Sequence, residues 1–104
     1  MLVLLLLIAA LLEVGGDAAI RRGLISSSST WLVAGFGLLA AYGYTVNANR
    51  TLGFGTVLGL YIAIFFVVSQ LLGMAVFGDR PSPSLLVGGA LIVTGGIVIQ
   101  LGTR

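Results

Sequence analysis

Four long apolar stretches, separated by short polar breaks, account for almost the whole chain. They cover residues 2–20, 31–46, 52–77 and 85–101. Each break contains residue types that end or cap helices: a serine-rich run, then "NANR", then "GDRPSPS". The prolines and the glycine of the last break cannot continue a helix, so this break is the clearest boundary.

A helix needs about 20 apolar residues to cross a bilayer, at a rise of 1.5 Å per residue. The first and third stretches are long enough, whereas the second and fourth need a few flanking polar residues. The pattern therefore predicts a single domain over residues 1–104, with transmembrane helices at about 2–21, 30–48, 52–77 and 84–102. We expect Ser29 or Thr30 to cap the second helix and the Trp31 ring to lie at the membrane interface.

The composition agrees with lipid as the solvent of this chain. Of the 104 residues, 59% are hydrophobic and 8% are charged, against roughly 25% charged in soluble domains. The absence of cysteine excludes disulfides and thiolate metal sites, and the absence of histidine removes the commonest general base. We therefore expect no enzyme activity, no metal and no cofactor. The net charge of +2 is too small to indicate nucleic-acid binding.

The arginines are almost evenly divided between the two sides of the membrane. With four spans, Arg21, Arg22 and Arg80 lie on one side, and Arg50, Arg104 and the α-amine lie on the other. Orientation normally follows an excess of Lys and Arg in cytoplasmic loops, and here there is almost none. Either other factors complete a weak signal, or the chain inserts in both orientations and oppositely oriented copies pair.

Two carboxylates interrupt the first apolar stretch. Glu13 and Asp17 are four residues apart, so they lie on one face of a helix, with Gly16 near the same face. An acidic residue in the middle of a span costs about 2.5–3.5 kcal/mol on insertion scales, and such residues mark ion pathways or proton relays. Asp17 is nearer the end of the span and can instead pair with Arg21, four residues later.

Glu13 is the deeper of the two, and no basic residue lies within a helical turn of it along the chain. A carboxylate that holds either a proton or a cation is sufficient for antiport, because binding of one releases the other. Glu13 is therefore the candidate proton- and cation-binding residue. A secretory signal peptide fits this region poorly, because Glu13 interrupts the apolar run and no basic side chain precedes it.

The third apolar stretch contains further polar and aromatic candidates. Ser69 and Gln70 either line a cavity or form hydrogen bonds between helices. Tyr61, Phe65 and Phe66 either pack in the membrane or form an aromatic wall against a cation.

The fourth stretch carries glycines at a spacing that suits helix contact. Gly88 and Gly95 are seven residues apart, two turns along one face, with Gly89 and Gly96 beside them. Small residues at such spacing let helices approach closely. We therefore interpret the fourth stretch as an oligomerisation helix.

Taken together, these residues resemble the small multidrug resistance family of the drug/metabolite transporter superfamily, over nearly the whole chain. The run "LLEVGGDAAIRRG" is similar to that family's first helix, with Glu13 at the place of its essential glutamate and Val14, Gly16 and Arg21 at matching places. "VFGDR" resembles the family's turn after the third helix, and "GGALIVTGGIVIQLGTR" resembles its dimerising fourth helix.

The resemblance implies an all-α integral membrane protein with four transmembrane helices per protomer, in a bacterial or archaeal plasma membrane. It implies an antiparallel, dual-topology homodimer that exports small or hydrophobic cations, of quaternary ammonium or guanidinium type, in exchange for protons by alternating access. Glu13 would bind the proton and the cation competitively. The residues assigned to the proton- and substrate-binding site are Glu13, Tyr61, Phe65, Ser69, Gly16 and Asp17. The residues assigned to dimerisation are Gly88, Gly89, Gly95 and Gly96.

The third helix departs from the pattern of the family, because Leu58 takes the place of a tyrosine and Tyr61 that of a tryptophan. Asp17 also replaces a residue that is usually uncharged. Residues 55–61 in addition resemble a related, uncharacterised four-span family. The alternative function is a four-helix membrane subunit that does not transport, or that carries lipid, and that assembles with a partner protein.

A reporter fused after Arg104 tests dual topology. Because the resemblance implies dual topology and the arginine bias is close to zero, we expect the reporter to be found on both sides of the membrane. The measurement compares a reporter that is active only in the cytoplasm with one that is active only outside it. A signal from one side alone would contradict dual topology.

Overall fold

The computed structural model describes residues 2–102, which form four α-helices and no strand. These are α1 (Leu2–Ser26), α2 (Ser29–Val46), α3 (Phe54–Phe77) and α4 (Pro83–Gly102). The prediction of an all-α protein with four helices is confirmed. Arg104, which entered the count of arginines, lies outside the described residues. The contacts divide the chain into two compact units, Met1–Asn49 with α1 and α2, and Arg50–Arg104 with α3 and α4.

Among the described residues, α1, α3 and α4 are long and apolar enough to cross a membrane. The shorter α2 is not in that set, since the several hydroxyl-bearing side chains among its 18 residues lower its mean hydropathy. It nevertheless packs antiparallel along α1 and therefore lies at the same depth. Many large apolar side chains are exposed on the protein, including Leu11, Val33 and Leu91, as lipid contact requires. The chain is thus a multi-pass membrane protein.

The connection between α1 and α2 is shorter than the sequence indicates. α1 continues to Ser26 instead of ending near residue 21, so Arg21 and Arg22 lie inside the helix. Ser27 adopts a left-handed conformation with φ 53°, and the Ser28 N–H donates to the Gly23 carbonyl oxygen at 2.9 Å. This is the hydrogen-bond pattern of a Schellman motif, which ends one helix and lets the next begin at once.

The same connection corrects the predicted cap of α2. Ser28 has the extended backbone of an N-cap, and its hydroxyl oxygen accepts a hydrogen bond from the Trp31 N–H at 3.4 Å. The prediction of Ser29 or Thr30 as the cap is wrong, because the tight reversal at Ser27 places the first extended residue one position earlier. At the other end, Asn47 is the C-cap and its side-chain amide donates to the Gly43 carbonyl oxygen at 2.8 Å.

Glycines hold α1 and α2 close together. A Cβ atom built on Gly35 would lie 2.8 Å from the Gly16 carbonyl oxygen and 3.0 Å from the Ile20 nitrogen. A Cβ atom on Gly23 would lie 2.8 Å from the Leu32 Cγ. Close approach at two levels fixes the antiparallel register. The pairs Gly23 with Leu32, Ile20 with Gly35, and Gly16 with Leu39 all have residue numbers that add up to 55.

The α3–α4 unit is bounded by a different kind of turn. α3 ends at Gly78, whose φ of 68° is one that side-chain-bearing residues rarely adopt, and the Asp79 N–H donates to the Gly73 carbonyl oxygen at 3.1 Å. Pro83 occupies the first helical position of α4, where its missing N–H is not needed. The Ser82 hydroxyl oxygen accepts from the Leu85 N–H at 3.1 Å, which caps α4.

Substitution of Gly35 tests the contact between α1 and α2. We expect Gly35→Ala to lower the free energy of unfolding by about 1–3 kcal/mol, because the new methyl group meets backbone that cannot move aside. Gly37→Ala, in the same helix, is the matched control, since its Cβ meets nothing within 4 Å. The control should be neutral or stabilising by up to about 1 kcal/mol, through helix propensity. The measurement is loss of helical circular dichroism on titration with SDS, and equal effects of the two variants would contradict the packing.

Candidate functional site in the α1–α2 unit

Glu13 lies on the face of α1 that contacts α2. Ala9, four residues before it, is fully buried, and Gly16, three residues after it, lies against Gly35 and Leu39 of α2. Positions three and four residues apart share one face of a helix. Glu13 is accordingly half-buried along the line of contact between the two helices, and does not point outward to the lipid-facing side.

Tyr42 is the residue of α2 that lies level with Glu13. Three of the contacts between the helices pair residue numbers that add up to 55, and this register places Tyr42 opposite Glu13. Tyr42 also lies on the contacting face, between Leu39, which covers Gly16, and Val46, which is 2% exposed. Independently of the register, its hydroxyl lies within electrostatic range of both Glu13 and Asp17. The register and this interaction together place Tyr42 at the level of the half-buried Glu13 carboxylate.

Sequence reasoning missed Tyr42. The run "AAYGYTV" contains two tyrosines, and nothing in the pattern of α2 distinguishes Tyr42 from Tyr44. In the structure Tyr42 is half-buried, whereas Tyr44 is 83% exposed. Only the register of α2 on α1 separates the two.

Asp17 occupies a shallower position than Glu13. It is exposed, and together with Arg21 it lines an open groove of about 480 Å³ whose other walls are apolar. The position suits either a pairing with Arg21 or a second carboxylate on the path to Glu13. Within residues 2–102, no group of three or more acidic side chains is placed to hold a metal ion.

Gly16, predicted as a binding residue, is buried in the helix contact. Its missing side chain makes room for the Leu39 side chain, which would lie 2.9 Å from a Cβ at this position. The structure therefore places Gly16 next to the candidate site as a packing residue.

The predicted residues of the third helix lie in the α3–α4 unit. Tyr61 is 3% exposed, and its ring centroid lies 5.9 Å from that of Phe65, with the planes tilted by 41°. The Ser69 hydroxyl donates to the Phe66 carbonyl oxygen at 2.7 Å, so its proton is used within its own helix. The Phe66 ring lies over Gly89 of α4, which assigns it to helix packing.

The glycines predicted for dimerisation have two different environments. Gly89 and Gly96 contact Phe66 and Ala63 of α3, so they hold α3 and α4 together within the chain. Gly88 and Gly95 have nothing within 4 Å of a built Cβ. A contact between copies through this helix is therefore left as a prediction for the face that carries Gly88 and Gly95.

Paired cysteines test the register that places Tyr42 at Glu13. The chain contains no cysteine, so a Glu13→Cys, Tyr42→Cys double variant carries only the two introduced thiols. We expect a short bifunctional thiol reagent to link them within one chain, while the Glu13→Cys, Tyr44→Cys control stays unlinked because Tyr44 points away. The measurement is the intact mass of the single chain after treatment. Equal linkage of both pairs would show that the register is different.

Comparison with known proteins identifies the family. The chain is 35% identical over 102 residues to a UPF0060 membrane protein of Frankia casuarinae, covering 97% of this chain and 93% of the relative. It is 33% identical over 103 residues to a UPF0060 membrane protein of Mycobacterium marinum, covering 98% and 94%, and 34% identical to one of Mycolicibacterium gilvum, covering 97% and 94%. No family model and no solved structure matches the chain. At this identity and coverage, the chain belongs to the UPF0060 family of bacterial membrane proteins.

Proposed function

We propose that this protein is a proton-coupled antiporter that exports small or hydrophobic cations of quaternary ammonium or guanidinium type. The observation that carries the proposal is the position of Glu13. It is a carboxylate half-buried in an apolar span, on the contact face between α1 and α2, at the level of Tyr42. Burial of a carboxylate in a membrane span costs free energy, and such residues mark ion pathways or proton relays, which supports a functional role for Glu13.

The chemistry of the site supports exchange of one ligand for another. A protonated carboxyl group carries no charge into the apolar span, whereas an ionised carboxylate attracts a cation. Binding of an organic cation therefore releases the proton, and binding of a proton releases the cation. The bond that is made and broken is the O–H bond of the Glu13 carboxyl group, and the two fluxes are coupled through competition for this one carboxylate.

Tyr42 has a defined part in this exchange. A phenol hydroxyl can donate a hydrogen bond to an ionised carboxylate, and its ring can contact an organic cation. Hydrogen bonds to charged groups contribute about 1.5–3 kcal/mol, enough to affect which ligand Glu13 holds. Asp17, one turn away on the exposed side of Glu13, adds negative charge where a cation would approach.

The resemblance to small multidrug resistance proteins supports the same proposal, including an antiparallel homodimer that alternates access between the two sides of the membrane. Glu13, Val14, Gly16 and Arg21 carry that resemblance in α1. The open face of α4, with Gly88 and Gly95, is the surface that such a dimer would use. The name of the UPF0060 relatives states a membrane location and no activity.

Substitution of Glu13 and Tyr42 tests the proposal on purified protein. We expect the wild type to bind a lipophilic cation such as tetraphenylphosphonium and to release protons as it does so. Glu13→Gln should abolish both, because the amide can exchange neither ligand. Tyr42→Phe should weaken binding roughly tenfold through loss of the hydroxyl. Tyr44→Phe is the matched control and should bind as the wild type does, since Tyr44 is 83% exposed.

The measurement is isothermal titration calorimetry in two buffers of different ionisation enthalpy, which counts the protons released. If the Glu13→Gln variant still released protons on cation binding, Glu13 would not be the group that exchanges the proton. Absence of binding by the isolated wild type would favour a subunit that acts only with a partner protein.

A further inference from the structure

A second site lies at the end of the α1–α2 unit, away from Glu13. We propose that Arg21, Arg22 and Trp31, with the apolar groove beside them, bind the headgroup and upper acyl chain of an anionic phospholipid. The site involves none of the residues assigned to transport except Asp17 at the edge of the groove. The outcome of its test does not depend on the antiport proposal.

The contact of Arg22 with Trp31 is the first element of this site. The guanidinium carbon lies 5.8 Å from the centroid of the indole ring, a cation–π geometry. Gly23 and Leu32, the adjacent pair, make the closest approach at this end of the two helices, so the helix contact itself brings Arg22 to Trp31. A guanidinium that lies over a ring keeps N–H groups at its edge, which can donate two parallel hydrogen bonds to a phosphate.

The depth of the arginines in the membrane is the second element. From Leu2 to Arg21, α1 rises about 30 Å, which is the thickness of the hydrocarbon layer. Arg21 and Arg22 therefore lie at the level of the phosphates. Tryptophan is enriched at the same level, because its ring is apolar and its N–H is polar.

The groove beside Arg21 is the third element. Its walls are Ile20, Leu24 and Ile25, with Arg21 and Asp17. Leu24 is 69% exposed and Ile25 is 74% exposed, although both follow the arginines and lie beyond the hydrocarbon layer by the same count of residues. The groove extends from these residues past Arg21 to Ile20 and Asp17, on the hydrocarbon side of the arginines, where the upper acyl chain of a lipid held at Arg21 lies.

Charge decides which lipid fits. This end of the unit carries two adjacent arginines and one exposed carboxylate, Asp17, so its net charge is positive. A zwitterionic lipid adds no net charge to balance it, whereas an anionic phospholipid such as phosphatidylglycerol does. Basic side chains near a membrane surface select anionic lipids in this way, and salt screens the attraction.

The experiment uses the fact that Trp31 is the only tryptophan of the protein, so tryptophan fluorescence reports this site alone. The full chain is reconstituted in phosphatidylcholine vesicles with a small, equal fraction of either brominated phosphatidylglycerol or brominated phosphatidylcholine. We expect the brominated anionic lipid to quench Trp31 with roughly fivefold higher apparent affinity. The preference is the ratio of the apparent affinities for the two brominated lipids, measured on the same variant. A change in the intrinsic fluorescence of a variant therefore does not affect it.

Arg22→Gln should reduce this preference to near one, and Arg22→Lys should keep part of it. Arg50→Gln removes the same charge at an exposed position outside this site, and it is the matched control that should keep the full preference. Equal quenching by both lipids in the wild type, or the same preference in Arg22→Gln as in Arg50→Gln, would overturn the proposal. Loss of the preference on addition of millimolar inorganic phosphate would also overturn it, because the site would then bind free phosphate and not lipid.

Discussion

The close contact between α1 and α2 at Gly16 and Gly35 is the constraint on which the first half of the protein depends. Since neither glycine has a side chain, the two backbones approach until the carbonyl of Gly16 occupies the space that a Cβ on Gly35 would need. In a membrane, packing of this kind is a main force that holds helices together, because lipid is as apolar as their side chains. The contact fixes the antiparallel register, and the register places every other pair along the unit.

Two functional arrangements follow from that register. Toward the middle of α1 it sets Tyr42 at the level of Glu13, and at the end of α1 it sets Trp31 beside Arg22. In both, an aromatic side chain of α2 meets an ionisable side chain of α1. In our proposals, the first gives a half-buried carboxylate a phenol and a ring, and the second holds a guanidinium at the depth of the lipid phosphates.

In the second unit, glycine has two distinct structural roles within one short motif. Gly89 and Gly96 receive Phe66 and Ala63 of α3, while Gly88 and Gly95 remain open one position away. Successive residues of a helix point about 100° apart, so adjacent glycines belong to different faces. In each pair of adjacent glycines, the second glycine contacts α3 within the chain. The first lies on another face of α4, which remains available for a lipid or a second copy of the chain.

The sequence by itself determined the four helices, their membrane location and the choice of Glu13, because apolar length and a carboxylate within it are local properties of the chain. It also located the turn at Gly78, where proline and glycine leave the backbone few alternatives. Only the tertiary structure decided that α1 runs to Ser26, that Ser28 is the cap, and that Tyr42 and not Tyr44 lies beside Glu13. These depend on which face of one helix meets which face of another, and in helices that are apolar all round no pattern of polar residues marks that face.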